Sequence, residues 1–242
     1  MDIPTKMNKK EGQPIIPPVP EEPEPSSFKL ILALGIAGFI SGIILVATFI
    51  YTDPIIRANK EAAIQRAIFK VLPACDTYTP LTVKEGRLVK YEPNDKAKKE
   101  SDKDVPLIYA GYNKNKELVG FAIPGSEPGF QDIIATIFGY DGTRKVIIGF
   151  EVLESKETPG LGDKIFKDAD FQTNFTALAV EPEIVPVKKG ARQHPNEVET
   201  ITGATISSKA VVRLLNNTMA RWQQSIDDYI EQNNLSLSQK HE

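Results

Sequence analysis

Between Leu30 and Thr52 the chain carries no charged residue, and the run is dense in Ile, Leu, Val, Ala and Phe. At 1.5 Å per residue it makes a helix of about 34 Å, long enough to cross a bilayer. No water competes for backbone hydrogen bonds in hydrocarbon, so such a stretch is committed to helix. A cleaved signal peptide is disfavoured, because the run is too long, follows a long polar arm and lacks a small-x-small site before Asp53-Pro54. The segment therefore reads as a permanent anchor. Gly38 and Gly42 form a Gly-xxx-Gly pair that lets a second helix approach, although glycine is also simply common in membrane helices. Lys6, Lys9, Lys10 and Lys29 precede the span and Arg57, Lys60, Arg66 and Lys70 follow it, so the positive-inside rule assigns no orientation.

Before the span, Met1 to Ser27 is rich in Pro, Glu and Lys with little to bury, and reads as a disordered, polyproline-like arm. After it, Pro54 to Leu72 resumes a helical period that Pro73 ends, giving a separate membrane-proximal helix. Asn94 to Asp104 is a charge run, read as a solvated loop. Strands are expected around Leu81–Val83, Leu88–Tyr91, Leu107–Tyr112, Leu118–Ile123, Ile133–Tyr140 and Val146–Leu153, with turn residues between them. Phe166 to Leu178 reads as a short helix or irregular segment, and Glu181–Lys188, with Pro182 and Pro186, as an edge strand or connector. Ser208 to Gln232 is a long helix, with Val211, Val212, Leu215, Met219, Trp222, Ile226, Tyr229 and Ile230 on one apolar face. The class is α+β: one N-terminal transmembrane helix, then a compact domain with an antiparallel sheet and flanking helices. The expected divisions are 1–27 for the arm, 28–52 for the span, 53–232 for the domain and 233–242 for the tail.

Composition narrows the chemistry. A net charge of -3 over 242 residues provides no basic field, which excludes nucleic acid as the natural partner. One cysteine, Cys75, and two histidines, His194 and His241, exclude a disulfide framework and any metal centre built on Cys or His from this chain alone. Cys75 sits in Leu72-Pro-Ala-Cys75 and reads as a half-buried, inert thiol.

Chemistry concentrates in two loops. Glu154 to Asp163 contains Glu157-Thr-Pro-Gly-Leu-Gly-Asp163, where Pro159, Gly160 and Gly162 set unusual backbone angles beside a carboxylate and a hydroxyl. Glu199-Thr-Ile-Thr-Gly-Ala-Thr-Ile-Ser-Ser208 runs into the last helix. There Gly203 and Ala204 leave little side chain between backbone and ligand, Thr202, Thr205, Ser207 and Ser208 offer hydroxyls, and the helix start offers free N–H groups to a phosphate. Ser and Thr before a helix also serve as plain caps, the ordinary reading of such a motif by itself. Gly160-Leu-Gly162 lacks the third glycine of a dinucleotide fingerprint.

Taken together, Glu157 to Asp163, Thr202-Gly-Ala-Thr205 and a single span ending in Asp53-Pro54-Ile-Ile56 resemble the FMN-binding domain family. Within it the nearest resemblance is to the G subunits of Rnf ion-translocating electron-transport complexes, with the related C subunits of sodium-translocating NADH:quinone oxidoreductases as the alternative. The resemblance covers the span and Pro54 to Ile230. It implies that Thr205 carries FMN through a phosphoester bond, installed by a separate flavin transferase that uses FAD and magnesium. It implies further that Thr202, Gly203, Ala204 and Ser207 surround the attachment point, and that Glu157, Thr158, Leu161 and Gly162 border the flavin. Gly129-Phe-Gln-Asp132 matches another family segment near the cofactor, with Phe130 either at the ring or in the core. Lys209 is either a countercharge to the phosphate or a solvent-facing lysine. Glu199 stands where the family usually has Asp. No catalytic residue and no metal ligand is implied in this chain. The implied role is a one-electron relay in a ferredoxin:NAD oxidoreductase type of complex, beside membrane and iron–sulfur subunits. The implied location is the bacterial cytoplasmic membrane, with the domain on the outer, periplasmic face. Two other classes compete: a membrane-anchored hydrolase with His194 as base, which lacks a nucleophile elbow, and a cofactor-free assembly module.

Overall fold

The computed structural model describes residues 26–92 and 105–233. The Pro-rich arm, the charge run and the C-terminal tail lie outside these residues, apart from their border positions. Contacts divide the chain into two compact units after Ile55.

The described part of the first unit is helical, and its apolar side chains are exposed: Leu34, Phe39, Leu45 and Tyr51 are each 69–77% accessible. Among the described residues one helix, α1 at Ser27–Val71, is long and apolar enough to cross a membrane. The structure departs here from the expected pair of helices, because α1 continues through Pro54 without a break. Proline removes one backbone N–H, a loss that neighbouring hydroxyls and local adjustment can absorb in membrane helices. The carbonyl that Pro54 cannot serve is that of Ile50; Thr48 and Thr52, in the turns just before, donate their hydroxyls to the carbonyls of Ile44 and Thr48 instead.

The second unit is built on an antiparallel sheet. Its strands are β1 (Thr77–Lys84), β2 (Arg87–Lys90), β3 (Ile108–Tyr112), β4 (Leu118–Pro128), β5 (Ile133–Asp141), β6 (Val146–Glu154) and the two-residue β7 (Leu178–Ala179). They lie in the order β2-β1-β3-β4-β5-β6-β7. Between β6 and β7 come two short helices, α2 (Lys164–Lys167) and α3 (Ala169–Thr173). Asp168 starts the second of these by accepting the N–H groups of Asp170 and Phe171. The Pro-containing segment gives β8 (Val185–Val187), which pairs in parallel with β9 (Glu197–Glu199) in a separate ribbon, as its prolines require. The last helix, α4, covers Thr205–Gln232 and so begins three residues earlier than its apolar periodicity indicates.

Period-two alternation sends side chains to the two faces of the sheet. Phe121, Ile123, Phe138 and Tyr140 pack with Val211, Leu215, Met219 and Trp222 of α4 in the main core. Ala122 and Ile137, from the other face, pack with Ala67, Ile68, Val71 and Leu72 at the end of α1. That second contact depends on small residues. Gly139 and Gly149 face each other across β5 and β6, and a Cβ added to either would strike the carbonyl oxygen of Val71. A Cβ on Gly111 would meet Leu72 Cδ1 at 2.7 Å.

Trp222 is the only tryptophan and is 4% exposed, which makes it a reporter of this core. Gly139→Ala pushes backbone against backbone at Val71 and is expected to destabilise the protein by about 1–3 kcal/mol. Gly35, where an added Cβ meets nothing, is the matched control. Denaturant unfolding of the detergent-solubilised chain, followed by Trp222 fluorescence, should show the loss for Gly139→Ala and none for Gly35→Ala.

Candidate functional site

The β4–β5 turn, the loop after β6 and the first turn of α4 meet at one carboxylate. Glu157 is 5% exposed. Its Oε1 accepts the backbone N–H groups of Phe130 and Gln131, both at 2.9 Å, and its Oε2 accepts the Ser207 hydroxyl at 2.5 Å. Two glycines make room for it. A Cβ on Gly129 would collide with Glu157 Oε1, and one on Gly162 would lie 2.6 Å from Oε2. Burial pushes the Glu157 carboxyl up, but the Ser207 hydroxyl and the N–H groups of Gln131, Asp132 and Phe130 outweigh it, leaving the group below the usual carboxylate range. The loop is closed further by Thr158, whose hydroxyl donates to Gln131 Oε1 at 3.0 Å, and by the N–H of Leu161, which donates to the Thr158 carbonyl at 3.1 Å. At its far end Lys167 holds Asp163 at 2.6 Å, which draws the Asp163 carboxyl below its ordinary value.

The start of α4 has no side-chain cap. Its N-cap is Ala204, and among the described residues no protein acceptor meets the N–H groups of Thr205, Ile206 and Ser207. The preceding Gly203 has φ +84°, a left-handed conformation that side chains disfavour, while an added Cβ would find only Leu161 at 3.7 Å. Gly203 is thus required by backbone conformation more than by crowding. The hydroxyls sort themselves by partner. Ser208 Oγ accepts the Ile201 N–H and donates to the Ala204 carbonyl, Thr200 donates to the Val187 carbonyl, and Ser207 donates to Glu157. Among the described residues the Thr205 hydroxyl has no hydrogen bond, and Thr205 is exposed.

These segments enclose an open groove of about 320 Å³, lined by Phe130, Glu157, Thr158, Leu161, Gly162 and the run from Gly203 to Ser207. Its rim is apolar: Phe130 is 65% exposed, Ile206 53% and Leu161 49%. A groove of this kind joins free N–H donors and a free hydroxyl to exposed apolar surface, so it suits a ligand with an anionic end and a flat apolar body.

Of the sequence-derived candidates, Glu157, Thr158, Leu161, Gly162, Gly203, Ala204, Thr205 and Ser207 lie together on this groove. Thr202 does not. It lines a neighbouring cleft of about 270 Å³ with Glu199, Lys164, Asp168, Asp170 and Lys189. Phe130, open between core and site in the sequence, faces the groove, whereas Phe138 and Tyr140 are fully buried. Ile206 is a lining residue that the motifs do not single out; its signal is an apolar residue out of phase with the stripe that begins at Val211. Lys209 is exposed, one turn after Thr205. His194 is also exposed, its backbone N–H donates to Glu197, and it lines neither cavity, which leaves Thr205 without a histidine base among the described residues. Cys75 is half-buried; burial raises its thiol pKa, and its Sγ donates to the Thr77 carbonyl.

Residues 129–220 match the FMN-binding domain family. The match opens at Gly129 and closes within α4, so every groove-lining residue falls inside it. The family resemblance drawn from the two loops therefore stands. The chain is 27% identical over 191 residues to the G subunit of the ion-translocating oxidoreductase complex of Methanosarcina acetivorans, covering 79% of this chain and 92% of that one. It is 28% identical over 197 residues to the G subunit of the Na⁺-translocating ferredoxin:NAD⁺ oxidoreductase complex of Acetobacterium woodii, covering 81% and 91%. The fold is similar to the crystal structure of the C subunit of the Na⁺-translocating NADH-quinone reductase from Parabacteroides distasonis, with a TM-score of 0.55 and 18% identity, over 71% of this chain and 95% of that one. The expected α+β class, with an antiparallel sheet and flanking helices after an apolar N-terminal helix, holds.

A carboxyl whose folded pKa is depressed stabilises the protein above its unfolded value, and that contribution is lost as pH falls through the folded value. Glu157 is such a group, so the wild type should lose stability as pH falls below about 4.3. Glu157→Gln should have a flatter acid limb. Urea midpoints measured at a series of pH values for both proteins check this, and parallel acid limbs would show the carboxylate to be uncoupled from folding.

Proposed function

We propose that this chain is the flavin-carrying subunit of a membrane-bound, ion-translocating oxidoreductase complex, and that it holds FMN covalently through Thr205. The observation that carries the attachment is the state of the hydroxyls. In the motif that enters α4, those of Ser207 and Ser208 are used inside the protein, Thr202 faces another cleft, and Thr205 alone presents an unbonded hydroxyl to the groove. The uncapped N–H groups of the first turn and the positive end of the helix favour a phosphate there. Phe130, Leu161 and Ile206 offer apolar surface for a flavin ring.

Attachment would form one bond, from Thr205 Oγ1 to the FMN phosphorus, and break the pyrophosphate P–O bond of FAD. AMP leaves, and the hydroxyl proton passes to a base on the flavin transferase, which uses magnesium. FMN then supplies electron transfer, while the protein binds, orients and shields it. The role within a complex rests on similarity to the G subunits of M. acetivorans and A. woodii. Electron flow is accordingly a property of the complex, with other membrane and iron–sulfur subunits as partners and no independent catalysis by this chain. The domain from about residue 53 to 232 lies on the outer face of the cytoplasmic membrane, held by α1.

After expression with its flavin transferase, the wild type should fluoresce under ultraviolet light in a denaturing gel, and Thr205→Ala should be dark. A dark wild type beside a demonstrably active transferase would remove the covalent reading, and a bright Thr205→Ala would move the bond elsewhere. For the orientation, Lys114 lies exposed in the turn between β3 and β4. A Lys114→Cys protein lacking Cys75 should react with a membrane-impermeant maleimide from the outside of the cytoplasmic membrane. Reaction only in inverted vesicles would place the domain on the cytoplasmic side.

A further inference from the structure

We propose that Glu157 is a positioning residue for flavin attachment. It acts through Ser207 on the first turn of α4 and does not bind the flavin. This rests on the reading of Thr205 as the attachment point and deepens it.

The three hydrogen bonds to the Glu157 carboxylate come from within the protein: Phe130 and Gln131 N–H on Oε1, Ser207 Oγ on Oε2. Gly129 and Gly162 wrap the carboxylate so closely that neither tolerates a Cβ. Little of the group is left for a ligand, and an ionised carboxylate repels a phosphate. What the carboxylate does instead is fix Ser207, two residues beyond Thr205 in the same turn. Because Ala204 offers no side-chain cap, Glu157 restrains that turn from another loop and leaves the N–H groups of Thr205, Ile206 and Ser207 unpaired. A cap from the N-cap residue itself would occupy one of those donors. The arrangement thus holds the turn while keeping its donors open beside the hydroxyl that must react.

The link works by hydrogen bonding more than by charge. A glutamine can accept the two backbone N–H groups on its oxygen and donate its amide to Ser207, whose hydroxyl reverses direction. Glu157→Gln should therefore restore what Glu157→Ala removes.

The test uses the full-length, detergent-solubilised apo-protein as substrate of the flavin transferase at fixed FAD and magnesium, with in-gel fluorescence reading the initial rate. Glu157→Ala should lower the maximal rate by about tenfold or more, in line with the cost of a displaced reacting group. The KM for the protein should change by less than about twofold, since the surface that the transferase meets is intact. Ser207→Ala, which keeps the buried carboxylate and its backbone bonds, should lower the rate in the same direction, and the double variant should be no slower than Glu157→Ala, because both act on one link. Hydrogen exchange at the amide of Ser208, which bonds the Ala204 carbonyl at 2.9 Å, should quicken in both single variants. Wild-type rate in Ser207→Ala would overturn the proposal, as would a rise in KM with unchanged maximal rate in Glu157→Ala. Glu157→Gln as slow as Glu157→Ala would overturn the hydrogen-bond account. In each of these cases the wild type is bright and Thr205→Ala dark, so the attachment reading survives; a dark wild type would sink that reading instead.

Discussion

The buried carboxylate of Glu157 is the interaction on which the groove depends. It lies 27 residues from Phe130 and 50 from Ser207, yet it accepts hydrogen bonds from both. Burying a charge is costly unless donors surround it, and here a hydroxyl and backbone N–H groups do so strongly enough to keep the acid below its ordinary pKa. The β4–β5 turn, the loop after β6 and the start of α4 therefore cannot move independently without exposing or orphaning the charge. Gly129 and Gly162 are the steric complement of the same interaction, since each stands where a side chain would displace an oxygen.

A second constraint places that groove on a rigid support. The sheet carries α4 on one face and the end of α1 on the other, and each face has its own apolar cluster. On the α1 side the contact is between backbones, with Gly139 and Gly149 facing the Val71 carbonyl. Lys70 with Glu151 and Lys60 with Glu154 add ion pairs at 2.6 and 3.3 Å, exposed enough to be minor contributors. The strands that lead into the site are the ones that α1 grips: β4 runs into the Gly129 turn, and β6 into the Glu157 loop.

Much of this was legible in the sequence because it follows from local rules. Periodicity found β3, β5 and β6 to within a residue, the start but not the end of β4, and the apolar face of α4, from Val211 to Ile226. Most of the groove-lining residues also followed from two short motifs. Three things did not. Pro54 signals a helix boundary in water, but α1 runs through it. The start of α4 at Thr205 was hidden because its first residues do not join the apolar stripe. Thr202 and Thr205, three residues apart, looked equivalent as hydroxyls, but the left-handed turn at Gly203 sends them to different cavities.

The sequence by itself determined the long apolar N-terminal helix, the α+β class and the residue types gathered at the site, since these depend on composition, spacing and backbone preference along the chain. Tertiary structure alone decided which hydroxyl is free. Whether Ser207 keeps an unbonded oxygen depends on an acceptor brought from elsewhere, Glu157 from fifty residues away, whereas Ser208 bonds locally to the Ala204 carbonyl at the start of its own helix. A partner as distant in the chain as Glu157 is chosen by packing, and no local pattern encodes it.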